Sequence, residues 1–355
     1  MTMQRWNAAL LPLLLLAGAS CDQAGDEDAT RAFELRFGAL SNGAAVDCNT
    51  PIEGAGPNGN MTVGLSDLRF YVSNLRFLDA DGEEIETSLD ENDFQYRSDA
   101  GQVSLVDLTG NASGTCAGTS ISFAEGTART NRSIVGTTDV SRVASVQFDV
   151  GIPQGLMQDT IASTTEEAAP SPLSEMYWSW ASGYRHFVLN VAVENDAGEF
   201  GDGYLHVGSR DCSAEGGLAL EDRDACGFVN TATVTIDGFD LESDAVVLDL
   251  DAILSGFDFV SPIYDPETFE VIGEGIGLEC HSSPMQPHCT PLFDAMGIDL
   301  ATGSATASSN AAFTKAAASV LGSADEPAAD DDHDDHDDHD DHDDHDHDHD
   351  HDHGE

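Results

Sequence analysis

Basic side chains are scarce in this sequence. Lysine and arginine together number 13, against 66 aspartates and glutamates in 355 residues, for a formal net charge of -53. A nucleic-acid binder needs cationic contacts to phosphate, and a surface that grips anionic headgroups needs a basic patch, so both classes are excluded. Long apolar runs are missing too. Beyond the N-terminal segment, no stretch reaches the ~20 apolar residues that a membrane-spanning helix requires. There is no G-x-S-x-G elbow, H-E-x-x-H pair, P-loop or C-x-x-C-H haem motif, and no C-x2-C of a zinc finger. No two of the 66 carboxylates stand out as an acid and base pair, so the chain reads as a non-enzyme. What is present is enough apolar material, 40% of residues, to bury a core. With 34 glycines and only short apolar runs, a loop-rich β protein is expected.

Both ends read as something other than fold. Arg5 followed by the apolar Leu10–Leu16 run has the form of a secretory signal over residues 1–20. Ala17-Gly18-Ala19 offers an ordinary cleavage site, whereas Gly18-Ala19-Ser20-Cys21 resembles a lipobox that would lipidate Cys21. Seven cysteines are odd in number, and lipidating Cys21 leaves six that can pair. The expectation is an exported protein, lipid-anchored in the periplasm or at the outer-membrane surface, with residues 21–31 as a linker. At the other end, residues 330–355 hold fifteen Asp and nine His. Such a tail cannot bury apolar surface and is expected to be disordered. Its histidines (His333, His336, His339, His342, His345, His347, His349, His351 and His353) form a flexible multidentate surface suited to Cu(II), Zn(II) or Ni(II). Residues 301–329 read as its linker, with a short helix over 311–321.

Residues 32–300 alternate in short runs between turn residues, as in an antiparallel β-sandwich with long, disulfide-closed loops. Candidate strands include 33–37, 68–78, 103–108, 121–123, 143–150, 186–193, 204–207, 228–236 and 246–250. A short helix is placed after Pro291, over 292–296. One hairpin can be read in register. Phe187, Leu189, Val191 and Val193 share a face, as do Leu205 and Val207, so Leu189 pairs with Leu205 and the chain turns near Ala197. His206 then lies opposite Val188 with His186 diagonal to it on the non-core face, close enough to share a metal ion. The plainer alternative is two exposed polar residues on a solvated face.

In an exported protein the six inner cysteines are expected as disulfides. Sequence proximity suggests Cys212–Cys226 and Cys280–Cys289, leaving Cys48–Cys116, among fifteen possible connectivities. Two further histidines, His281 and His288, lie just inside the last pair, with Met285 between them. Imidazole and thioether donors together suit copper, Cu(I) in particular, although a plain surface loop would look the same. Asp79-Ala80-Asp81-Gly82 opens like a calcium loop but lacks the closing Glu, and a hairpin turn explains it better.

Met176-Tyr177-Trp178-Ser179-Trp180-Ala181-Ser182-Gly183-Tyr184 is the most unusual stretch; the third Trp of the chain, Trp6, lies in the signal. With Asp67–Ser73, Leu105–Leu108 and Cys116, Gly151-Ile152-Pro153, Leu205-His206-x-Gly208-Ser209, Cys212, Cys226, Asn230, and Cys280-x8-Cys289, this stretch resembles, in collinear order, the MbnP-like family of exported copper-binding proteins. The resemblance implies a periplasmic or surface β protein. It also implies a di-haem MbnH-type partner, similar to cytochrome c peroxidases, that oxidises a Trp to kynurenine, here Trp178 or Trp180. It makes His206 the best metal ligand. One departure stands out: many relatives carry Asn-His shortly after the Gly-x-Pro block, where this chain reads Leu156-Met157-Gln158-Asp159, so His186, His281, His288 or Met157 would have to substitute. Indole is no metal ligand, whereas the aryl amine and ketone of kynurenine can coordinate. The reading is a copper protein for acquisition, storage or handover. Its alternative is a surface lipoprotein for adhesion or assembly whose metal binding resides in the tail alone.

Overall fold

The Met61–Leu78 strand explains much of the architecture. Its apolar residues face two ways, and an unmatched residue at Ser66 lets Leu65 and Leu68, three apart, turn toward the same core. A second irregularity near Asn74, at positive φ, does the same for Val72 and Leu75. The strand is thus buried on both faces along its middle. In this computed structural model the described residues run from 30 to 322, except for 111–128, 164–167, 180–182, 215–216, 219–225, 266, 269 and 307–309.

The larger sheet runs in the order Ala232–Asp237, Ser145–Val150, Met61–Leu78, Gly183–Asn195, Phe200–Gly208, Leu278–His281. The smaller runs Phe313–Ala317, Asp244–Asp249, Thr30–Ser41, Ser133–Asp139, Thr87–Leu89. Phenylalanines join the two. Phe37 meets Phe70 and Phe148 edge-on at 5.9 and 6.0 Å, and Phe313 meets the same two at 5.3 and 5.7 Å. Such pairs contribute about 0.5–1.5 kcal/mol each beyond their area burial. This is the expected sandwich, nearly all β.

Three points differ from the sequence reading. The sheets are mixed, because Thr30–Ser41 runs parallel to Asp244–Asp249, and Phe200–Gly208 parallel to Leu278–His281. Parallel partners are joined by long connections and leave no hairpin signal in the sequence. Next, Phe313–Ala317 is a strand paired with Asp244–Asp249, where a linker with a short helix was expected. Burial of Phe313 between the sheets decides its state against the alanine-rich local preference. Third, a helix over Gln154–Ser163 was not foreseen. The helix after Pro291 is present as Thr290–Met296, with Pro in its first turn and Gly297 closing it at φ 70°. The expected strand 121–123 lies outside the described residues. Asp79 forms a turn, its carboxylate accepting from the amides of Asp81 and Glu83 and pairing with Arg142.

Candidate metal centre

The central hairpin has the expected register: Leu189 pairs with Leu205 and Val188 with His206. The non-core face is not solvated, however. A second apolar cluster covers it, including Tyr71, Met157, Met176, Tyr184, Val188 and the Cys212–Cys226 bridge. Cross-strand pairing lines up one rank of side chains over five strands: Asp107, Arg69, Val188, His206, His281. The adjacent rank reads Asp67, Asn190, Tyr204, Glu279. A polar strip therefore crosses the sheet beneath the second cluster. At its inner end Arg69 holds Asp67 through two bonds of 2.7 and 2.6 Å, both residues buried. Beside them Asp107 is pushed up to about 6 by burial, with amide and hydroxyl bonds from Thr109 opposing.

At its outer end the strip holds two imidazoles. His206 Nδ1 and His281 Nδ1 are 3.3 Å apart. His206 is 6% exposed and its Nε2 lies 2.8 Å from Asn190 Oδ1. His281 is half-buried, with Glu279 Oε1 3.5 Å from its Nε2. Burial lowers His206 to about 3, helped by the positive Arg185, by His281 and by Arg69. Burial lowers His281 as well; Glu279 opposes this, while Arg210 and Arg185 add to it. Both rings are therefore held toward the neutral form that a metal needs.

Trp178 lies against this pair. Its ring centroid is 6.2 Å from each imidazole, and the Arg210 guanidinium stands 5.9 Å from the indole. Arg210 also donates to the His281 carbonyl at 2.8 Å. Trp178 is on the Tyr177–Ser179 strand, which folds back on Gly183–Asn195. Its Cε3 sits over Gly208, where an added Cβ would fall 3.2 Å from it and 2.5 Å from the Tyr184 carbonyl. The glycine of the His206-x-Gly208-Ser209 motif is thus the floor under the indole. Ser282 clamps the parallel pairing by donating to the His206 carbonyl at 2.7 Å and accepting from the Gly208 amide at 2.8 Å. Asn230 donates to the Gly208 carbonyl at 2.8 Å. The motif residues other than His206 act as supports.

The structure brings His206 together with His281 and Trp178, and not with His186. Between Arg185 and Phe187 the register slips by one residue, so the alternation behind the His186–His206 expectation breaks at His186 itself. His186 is fully buried, its Nδ1 is 3.1 Å from the Asn230 carbonyl, and burial lowers it to about 4. Met157 lies on the Gln154–Ser163 helix beside Ser209 Oγ and Cys226 Sγ, at 3.7 and 3.9 Å. His288 and Met285 are exposed. Cys280–Cys289 and Cys212–Cys226 are bridged as expected. Trp180, Cys21, Cys116, hence the Cys48–Cys116 pairing, and every tail histidine lie outside the described residues. Sequence reasoning missed Asn190, Tyr204 and Glu279; their alternation with His206 and His281 was the available signal. Among the described residues, no cluster of three or more His, Cys, Asp or Glu forms a complete metal cage.

Fold and site define a disulfide-braced β-sandwich with a pair of facing imidazoles beside an indole. The chain belongs to the MbnP family, whose model matches residues 30–268. It is similar in structure to MbnP from Methylosinus trichosporium, with 24% identity and a TM-score of 0.60 over 81% of this chain and 99% of that one. At that identity the likeness speaks for the fold. No curated protein sequence matches the chain.

Proposed function

We propose that this protein is a non-enzymatic, exported copper-binding protein whose folded domain holds Cu(I) between His206 and His281. The observation that carries this reading is the pair of Nδ1 atoms facing each other at 3.3 Å. Two imidazole nitrogens roughly 2.0–2.1 Å from one tetrahedral metal ion stand about 3.3–3.4 Å apart, so the spacing fits a shared ion.

Membership of the MbnP family supports a di-haem MbnH-type partner. That partner, using dioxygen or a peroxide as the oxidant, would cleave the C2–C3 bond of Trp178, the tryptophan beside the imidazoles, and hydrolysis would release C2 as formate to leave kynurenine, whose aryl amine and ketone would add donors at a site with two histidines. The oxidised residue would supply further coordination, and this chain's own residues orient it: Gly208 below, Arg210 at its face. His281 would take the place of the histidine absent after Gly151-Ile152-Pro153. Export, a lipid anchor on Cys21 and a periplasmic or outer-membrane location complete the proposal. The Asp/His tail would gather Cu(II), Zn(II) or Ni(II) for the domain.

Peptide mass spectrometry over residues 176–185, on protein from its native host grown with and without copper, tests the modification. Kynurenine at Trp178 supports the reading. Kynurenine at Trp180 with Trp178 intact overturns the assignment of the residue, and two intact tryptophans in both conditions overturn the oxidation.

A further inference from the structure

The two imidazoles present the same nitrogen to each other, and the residues behind them explain why. We infer that Asn190 is a positioning residue for the metal centre: by accepting a hydrogen bond from His206 Nε2–H it fixes the tautomer that leaves the His206 Nδ1 lone pair aimed at His281. The inference rests on the copper reading for its purpose, but its structural half can be measured without metal.

The geometry is specific. Asn190 is fully buried, one rank along the sheet from His206, paired with Asp67 on one side and Tyr204 on the other. Its Oδ1 is 2.8 Å from His206 Nε2, which leaves Nδ1 as the nitrogen facing His281. An imidazole in its neutral form carries a proton on one nitrogen, so an acceptor behind Nε2 empties Nδ1. The Glu279 carboxylate lies 3.5 Å from His281 Nε2. Two Nδ1 lone pairs facing at 3.3 Å cannot hydrogen-bond to each other, and a cation between them satisfies both. An oxygen acceptor on the far nitrogen of a ligating histidine is the usual device for setting orientation and basicity, and its loss typically costs 10–100-fold in metal affinity.

A neutral amide also suits this position better than a carboxylate. Asp67, the cross-strand neighbour of Asn190, is already buried as an anion paired with Arg69. A second buried anion would add a desolvation cost without a partner. Asn190 therefore supplies the acceptor without the charge.

The test uses the full chain with 15N-labelled histidine. The His206 resonances are assigned by their loss in His206→Gln, and the protonated nitrogen is read from ring 15N shifts in the metal-free protein. The expected result is a proton on Nε2 in the wild type and a loss of that preference in Asn190→Leu. Cu(I) is then supplied from a chelator buffer and occupancy is read at the His206 signal, which separates the domain from the tail. Asn190→Leu is expected to bind 10–100-fold more weakly. A proton on Nδ1 in the wild type overturns the inference, and so does unchanged Cu(I) affinity in a folded Asn190→Leu. If Cu(I) leaves the wild-type His206 signal unmoved, the copper reading fails, while the tautomer result still decides the role of Asn190.

Discussion

His206 and His281 are 75 residues apart in sequence and meet Nδ1 to Nδ1 at 3.3 Å, because Phe200–Gly208 and Leu278–His281 pair in parallel. Each histidine is rooted differently. His206 is buried at the end of a polar strip, whereas His281 stands half-exposed beside a disulfide that closes the loop after it.

If the pair holds copper, each ligand is indispensable. His206→Ala and His281→Ala are each expected to lower Cu(I) affinity by more than the 10–100-fold typical of losing an outer partner. His288→Ala, on an exposed turn, is expected to change it little. Chelator competition on the tail-bearing protein, with a His206→Ala/His281→Ala double variant to define the tail's own share, measures this. Equal affinities for wild type and double variant would locate all copper in the tail.

The Cys280–Cys289 bridge closes a short loop that starts immediately before His281. Chain-entropy arithmetic for such a loop gives about 2–3 kcal/mol of stabilisation. The Cys280→Ser/Cys289→Ser variant is expected to lose stability on that scale in urea unfolding and also to weaken Cu(I) binding, because His281 loses its anchored register. Loss of stability with undiminished copper affinity would show that the strand pairing alone fixes His281.

Gly208→Ala probes the floor beneath the indole. The new methyl would stand 2.5 Å from the Tyr184 carbonyl and 3.2 Å from Trp178 Cε3, and backbone cannot yield cheaply. Overpacking of this kind costs about 1–3 kcal/mol. A shift in Trp fluorescence is the expected outcome. An unchanged emission spectrum in a folded variant would mean that Trp178 does not rest on Gly208.

Asp107 sets a pH dependence of stability away from the imidazoles. Burial raises it from 3.8 to about 6 in the folded protein. Between those values the native state binds more protons than the unfolded chain, so stability falls as pH rises from ~4 to ~6 and stays lower above. The size is at most about 3 kcal/mol. Asp107→Asn, which keeps an acceptor for the Thr109 amide, is expected to match wild type near pH 4 and to exceed it above pH 6. Urea midpoints measured at pH 4, 5, 6 and 7 check this; parallel curves for the two proteins would assign the slope to other groups.

Much of this was legible beforehand where the signal is local. Alternation at Phe187, Leu189, Val191 and Val193 against Leu205 and Val207 set the hairpin register, since a one-residue slip would have turned an apolar row outward. The Cys212–Cys226 and Cys280–Cys289 pairs followed from proximity. His186 misled because one extra residue between Arg185 and Phe187 breaks a period-two argument, and nothing in a run of residue names marks where a strand will bulge.

By itself, the sequence determined the β class, the pairing of neighbouring cysteines and the family, all of which depend on composition, short-range periodicity or collinear motifs. Tertiary structure alone decided that His281 is the partner of His206, that Trp178 walls the pair, that Asn190 stands behind the buried ring and that Phe313 closes the core. These depend on parallel pairing and sheet-on-sheet packing between segments separated by long connections, and such contacts are fixed by where the whole core buries its apolar surface.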